Sequence, residues 1–263
     1  MMIQESTCRL AGDRLAGIVT TPTGAERRGA CVLVNAGVVA KHGPFRLYVE
    51  LARRLARDGY TTLRFDLGGL GDSAASAARA PVVERTRGEI ASAVDHVAAA
   101  GSGPVIVGGL CSGAEDAFRY AERDPRVTGV VLVDPFAYRT PGWYPRDFAR
   151  RASGKALLAV GAFTPLPLRT RGARLVDYQY MPRRESTRIL GALLDRGVRL
   201  HFVYTGGSAD KFNHAGQLAA MFPTLALGDQ VTLDHLPGIE HTQLLSEDRE
   251  RLVEAIGTRL AAW

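Results

Sequence analysis

Residues 106–117 read IVGGLCSGAEDA, and the way this stretch must bend decides the fold. Upstream, Pro104–Gly108 (PVIVG) has the short, unbroken apolar character of a strand buried on both faces. Downstream, Ala114–Arg123 repeats apolar residues at helical spacing. Only Gly109-Leu110-Cys111-Ser112-Gly113 lies between them. A strand that becomes a helix so abruptly holds its central residue in a strained turn, and the residues two before and two after it must be very small. Gly109 and Gly113 frame Cys111 in this way. Ser112 is framed by Leu110 and Ala114, and Leu110 would clash. The pattern is G-x-Nuc-x-G with cysteine in the nucleophile slot. The plainer alternative is a glycine-rich turn around a buried thiol, because free cysteine often packs as a small apolar residue.

On both sides of this stretch, short apolar runs alternate with helical patterns, the rhythm of a parallel sheet with crossover helices. Toward the N-terminus, Glu84–Ala99 is a helix and Thr61–Phe65 a strand that runs into the loop Asp66–Ser73. Before these come the helix Arg46–Asp58, ended by Gly59, and the buried strand Ala30–Asn35. The beginning differs: Thr7–Leu10 and Arg14–Thr20 flank Ala11-Gly12-Asp13 as an antiparallel hairpin. Toward the C-terminus, Val127–Val133 is a strand ending at Asp134-Pro135. The segment Phe136–Pro182, rich in Pro, Gly, Arg and aromatic residues, reads as an inserted, partly helical lid. Regularity resumes with the helix Arg184–Asp195, the strand Val198–Tyr204, a helix near Asn213–Met221, the strand Gln230–Leu236 and the helix Ser246–Ala261. The expected architecture is an α/β fold, its core 1–135 and 183–263, its lid 136–182.

Composition agrees with one large α/β domain. The 263 residues are 46% hydrophobic and 23% charged, the balance of a soluble globular chain. No window approaches the roughly 18 uninterrupted apolar residues of a membrane span. The opening MMIQESTCRL lacks the basic-then-apolar plan of a secretory signal, so a cytoplasmic location is expected. Three scattered cysteines, Cys8, Cys31 and Cys111, make no disulfide framework, and no His/Cys cluster has zinc-ligand spacing. No metal and no cofactor are expected. The net charge of +6 is concentrated: Tyr138–Leu190 holds eleven basic residues against three acidic ones. No helix-turn-helix, RNP or zinc-finger pattern accompanies it, which argues against nucleic acid as a partner.

Several segments, in the expected chain order, resemble the α/β-hydrolase superfamily over nearly the whole chain. Arg64–Ser73 (RFDLGGLGDS) resembles the D-x-x-G-x-G-x-S loop after the fourth strand. Residues 34–60 (VNAGVVAKHGPFRLYVELARRLARDGY) resemble the oxyanion strand and first helix of serine-aminopeptidase-like members. GLCSGA is similar to the elbow of hydrolases associated with exosortase systems, and the overall plan resembles type II thioesterases. The resemblance implies the α/β-hydrolase fold, an eight-stranded and mostly parallel sheet with helices on both faces. It also implies an acid after the seventh strand and a histidine after the eighth, which are Asp210 and His241 here. Asp134, at the end of the sixth strand, stays open as the alternative acid. The oxyanion donors implied are the backbone N–H groups of Ser112 and of Val38, which follows Gly37. Asp66, Gly69, Gly71 and Asp72 read as loop-shaping residues.

The chemistry expected of these placements is acyl transfer to sulfur. His241 takes the thiol proton while the acid orients the imidazolium. A helix N-terminus and a neighbouring imidazole both favour the thiolate of Cys111. The covalent intermediate is a thioester, so attack on an incoming thioester is near thermoneutral and attack on an oxygen ester is uphill. A thioesterase is therefore expected, with an acyltransferase using the same triad or a non-catalytic binding member as alternatives. His42 and Gly37, near the oxyanion loop, and Trp143, Tyr144 and Phe148, in the lid, are candidates to line the substrate pocket. Arg146, Arg150, Arg151, Arg169, Arg171 and Arg174 lie among these aromatics and Phe163, a rim suited to coenzyme A or an acidic acyl carrier protein. The plain alternative is a solvated, arginine-rich loop. Peptidase activity follows from the family alone; nothing in the residues asks for it.

Overall fold

The computed structural model describes residues 2–24, 27–76, 79–101, 103–160 and 181–263, except the side chains of 153–160. Eight strands form one sheet: β1 (Ile3–Leu10), β2 (Leu15–Pro22), β3 (Gly29–Val34), β4 (Tyr60–Phe65), β5 (Val105–Leu110), β6 (Val127–Val133), β7 (Arg199–Thr205) and β8 (Val231–Leu236). Their spatial order is β1-β2-β4-β3-β5-β6-β7-β8. The β1–β2 hairpin joins β4 antiparallel, and from β4 onward every pairing is parallel. Among the described residues the α-helices are α1 (Leu47–Arg57), α2 (Val82–Ala99), α3 (Ser112–Arg123), α4 (Trp143–Val160), α5 (Arg183–Asp195), α6 (Gln217–Met221) and α7 (Ser246–Ala261). No helix among the described residues is long and apolar enough to cross a membrane.

The period of two along each strand divides the core into two halves. Val32, Val34, Val107 and Leu132 face one side, where Ile90 of α2, Phe118 of α3 and Ile189 of α5 pack on them. Cys31, Leu33, Ile106 and Val131 face the other, against Leu51 and Leu55 of α1 and Leu252 and Ile256 of α7. Strands buried on both faces read as unbroken apolar runs, which is why β3 and β5 stand out in the sequence. Gly59, at φ 97, lets the chain leave α1 in a left-handed conformation and enter β4 at once.

Two expectations change in detail. The hairpin strands are longer than the sequence suggested. The helix expected near Asn213–Met221 begins only at Gln217, because the buried Gln217 side chain substitutes for helical bonds. Its Oε1 accepts the Asn213 N–H at 3.0 Å, and its Nε2 donates to the carbonyls of Tyr138 and Lys211. Of the segment expected as a lid, 143–160 is the helix α4, and residues 161–180 lie outside the described residues.

Candidate active site

In an open parallel sheet, ligands meet the chain at the carboxyl ends of the strands, and there the sequence-marked residues converge. Cys111 follows β5 directly, at φ 54 and ψ −120, a backbone region that non-glycine residues rarely occupy. Close packing forces it there. A Cβ on Gly109 would stand 2.6 Å from the Gly113 carbonyl carbon, and one on Gly113 would stand 2.5 Å from the Val34 carbonyl oxygen. The elbow therefore rests against the end of β3, and its glycines have a steric cause. The Cys111 N–H donates to the Val133 carbonyl at 2.8 Å, tying the turn to β6.

Ser112 has a different occupation from its neighbour. Its Oγ accepts the Gly37 N–H at 2.7 Å and so pins the loop that follows β3. Two further contacts hold that loop. Asn35, 1% exposed, donates from Nδ2 to the Val39 carbonyl and accepts the Leu67 N–H on Oδ1. The buried Asp66 carboxylate accepts the Lys41 N–H at 2.6 Å and the Lys41 Nζ at 2.7 Å. Lys41 also reaches Asp72, and these bonds outweigh burial to hold its ammonium above its ordinary range. Gly71 admits the Asp66 carboxylate, which a Cβ there would meet. The loop-shaping role expected of Asp66, Gly71 and Asp72 is thus visible as contacts. Among the described residues, no group accepts the N–H of Ser112 or of Val38.

His241 follows β8 after a turn fastened by the Gly206 N–H donating to the Ile239 carbonyl at 2.8 Å. Its Nδ1 lies 2.7 Å from Asp134 Oδ2, and the Asp134 side chain is fully buried. The hydrogen bond to Asp134, then one to Cys111, outweighs desolvation and pushes the imidazole pKa up to about 10. Asp134 also accepts the Thr205 N–H at 2.7 Å and the Thr205 hydroxyl at 2.6 Å. Three hydrogen bonds fix this carboxylate, and its backbone too is left-handed, at φ 46.

The expectation that Asp210 partners His241 is corrected by this geometry. The β6–β7 ladder ends at Val133 and Val203, which leaves Asp134 beside Thr205 and under the returning histidine loop. Beyond Thr205 a 3-10 turn, Gly206–Ser208, carries the chain away. Asp210 is exposed, and its carbonyl accepts from Arg139 Nε at 3.1 Å.

The other candidates separate by burial. His42 is exposed, with Nδ1 2.6 Å from the Gly43 carbonyl. Trp143 is packed at the base of α4, with the Arg139 guanidinium 4.4 Å above its ring, whereas Tyr144 and Phe148 are exposed. Arg150 and Arg151 both pair with Asp147, and Arg146 donates to the Gly142 carbonyl. Phe163, Arg169, Arg171 and Arg174 lie outside the described residues. No group of three metal-ligating side chains occurs among the described residues. Tyr48, Asn35 and Lys41 were not singled out from the sequence. Tyr48 is buried, its hydroxyl donating to the Val34 carbonyl and accepting the Leu110 N–H, both at 2.8 Å. Nothing local in the sequence marks such a bridge. A buried strand ending in an acid did mark Asp134.

A family model described as serine aminopeptidase, S33, matches residues 26–179. Among solved structures, the chain is similar to a protein of unknown function from Agrobacterium tumefaciens described as an α/β hydrolase, at 16% identity and a TM-score of 0.62, covering 98% of this chain and 94% of that one. It is similar to an α/β serine hydrolase without a lid from Xanthomonas campestris, at 16% identity and 0.60, covering 97% and 94%. It is also similar to the esterase PF2001 from Pyrococcus furiosus, at 13% identity and 0.62, covering 100% and 91%. At these identities the likeness is one of fold. Among curated proteins, none matches the chain.

Proposed function

The chain belongs to the serine aminopeptidase S33 family of α/β hydrolases, and from that premise we propose that it is an acyl hydrolase whose nucleophile is Cys111, acting on acyl thioesters. The observation that carries this reading is the chain of contacts from Cys111 through His241 to Asp134, with the cysteine in the strained elbow. Ser112, the neighbouring hydroxyl, is engaged by the Gly37 N–H.

With Nδ1 on Asp134, the imidazole has Nε2 for the Cys111 proton. The thiolate sulfur attacks the substrate carbonyl carbon, and the C–O π electrons move onto oxygen. The free N–H groups of Ser112 and Val38 receive that oxyanion; such donors contribute about 2.7–4 kcal/mol each to lowering a barrier. Collapse expels the leaving thiolate, which takes the proton from His241, and Cys111 is left acylated. Water then gives a proton to His241, attacks the acyl-enzyme and releases the acid. An amine or alcohol in place of water would make the reaction acyl transfer. The concentration of basic residues between Tyr138 and Leu190 supports a leaving group that carries phosphate, such as coenzyme A, or one borne on an acidic carrier protein.

The test is intact-mass detection of an acyl adduct after incubation with a panel of acyl thioesters, followed by mapping of the modified residue. Burial pushes the Cys31 thiol up to about 12 and raises that of Cys8, so neither competes at neutral pH. The expected result is one adduct on Cys111, absent in Cys111→Ala, with turnover lowered on the order of a thousandfold or more. An adduct that persists in that variant overturns the assignment.

A further inference from the structure

The loops on either side of Cys111 present an apolar surface that the triad does not use. Among the described residues, Val38, Phe45, Leu244 and Leu245 are large apolar side chains 68%, 51%, 58% and 62% exposed. Val38 belongs to the loop after β3 and carries one of the two free N–H groups. Leu244 stands three residues beyond His241. Arg249 joins the loop after His241 to α1. Its Nη1 donates to the carbonyls of Gln243 and Leu244 at 3.0 and 2.9 Å, and its Nε donates to Glu50 at 3.2 Å. Glu50 lies in the first turn of α1, the helix that Phe45 introduces. The loop of Leu244 and Leu245 is thus fastened to the first turn of α1, just beyond Phe45, while the Gly37 N–H on Ser112 Oγ holds the Val38 loop against the elbow.

The exposure is held against strain. Phe45 has φ 43 and ψ 34, Arg46 has φ 71, and Gln243 has φ 49, all in the left-handed region that bulky residues avoid. Strained backbone persists where the surrounding structure over-determines it, and it clusters at ligand-binding positions. Phe45 is itself an apolar side chain held in water by such a backbone, and covering it with an apolar group is favourable.

We propose that this rim, between the oxyanion loop and the histidine loop, receives the apolar acyl chain of the substrate. The inference rests on the thioester reading above. A phosphate-bearing thiol leaving group is polar and gains nothing from the rim, so the acyl chain is the part of the substrate that fits it. A carbonyl held by the Val38 N–H lies against the same loop that carries the Val38 side chain. Longer, linear acyl groups are then the preferred substrates, and acetyl is a poor one.

The experiment measures kcat/KM for acetyl, hexanoyl and decanoyl coenzyme A with the wild type and with the triple variant Phe45→Asn, Leu244→Asn and Leu245→Asn. Asparagine tolerates the left-handed region, so position 45 keeps its backbone, and the exposed sites ask little of the core. In the wild type the decanoyl-to-acetyl ratio is expected to be at least about tenfold, since each buried methylene is worth up to about fourfold. The variant is expected to lower that ratio by about tenfold. A wild-type ratio near one overturns the rim while leaving the thioesterase reading intact. So does a high ratio that the variant retains, which would put the chain elsewhere, for example against Tyr144 and Phe148. No turnover of any thioester, with Cys111 unacylated, overturns both.

Discussion

At the scale of single residues, the site is a question of which carboxylate holds the histidine. Asp134 is buried and bonded to Nδ1, whereas Asp210 is exposed and points its carbonyl at Arg139. Asp134→Asn is expected to lower kcat by about a hundredfold or more, and Asp210→Asn to leave it within twofold, in steady-state assays with one substrate. The same pair sets a pH dependence. The folded His241 pKa lies near 10, above its ordinary value of about 6.5, so its stabilising contribution is complete below pH 6.5 and is lost as pH rises through 10. Thermal melts of wild type and Asp134→Asn should therefore differ most near pH 6 and converge toward pH 10. A difference that grows with pH would contradict the raised pKa. In the sequence Cys111 is marked by the Gly frame around it, whereas His241 follows only from the resemblance, which implies a histidine after the eighth strand. The acid was not settled by the sequence, because the choice depends on where β6 and β7 stop relative to each other, and register across a sheet is not written in either strand alone.

At the scale of elements, β3 and β5 end side by side, and a tyrosine completes their pairing. The Tyr48 hydroxyl, carried by α1, stands between the Val34 carbonyl and the Leu110 N–H, one rung past the Val34–Gly109 pair. It fixes the spacing between the loop that follows β3 and the elbow. Tyr48→Phe keeps the ring, leaves two buried backbone groups unpaired, and is expected to cost about 1–3 kcal/mol in urea denaturation. A loss below about 0.5 kcal/mol would mean that the bridge is not structural. Strands and helices were read with little error, since burial on both faces writes an unbroken apolar run. Tyr48 escaped because its partners are 14 and 62 residues away. In the sequence it is one apolar position of an amphipathic helix.

At the scale of the whole molecule, the alternation of elements implies a parallel sheet with crossover helices, the resemblance implies eight strands, and the structure has both. The length of the N-terminal strands was underestimated, because exposed edge positions such as Gln4–Ser6 carry no apolar signal. One local feature, the left-handed backbone at Cys111, bears on the endurance of the entire chain. At φ 54 and ψ −120 only glycine is at ease, and a residue with a side chain there costs about 1–3 kcal/mol. Cys111→Gly and Cys111→Ala both lack the thiol and differ mainly in tolerance of that conformation. Scanning calorimetry should find the glycine variant melting several degrees above the alanine variant, and equal melting temperatures would deny the strain. Selection for persistence alone would therefore discard the cysteine, and a homologue that had given up catalysis would be expected to show it first by a glycine at this position.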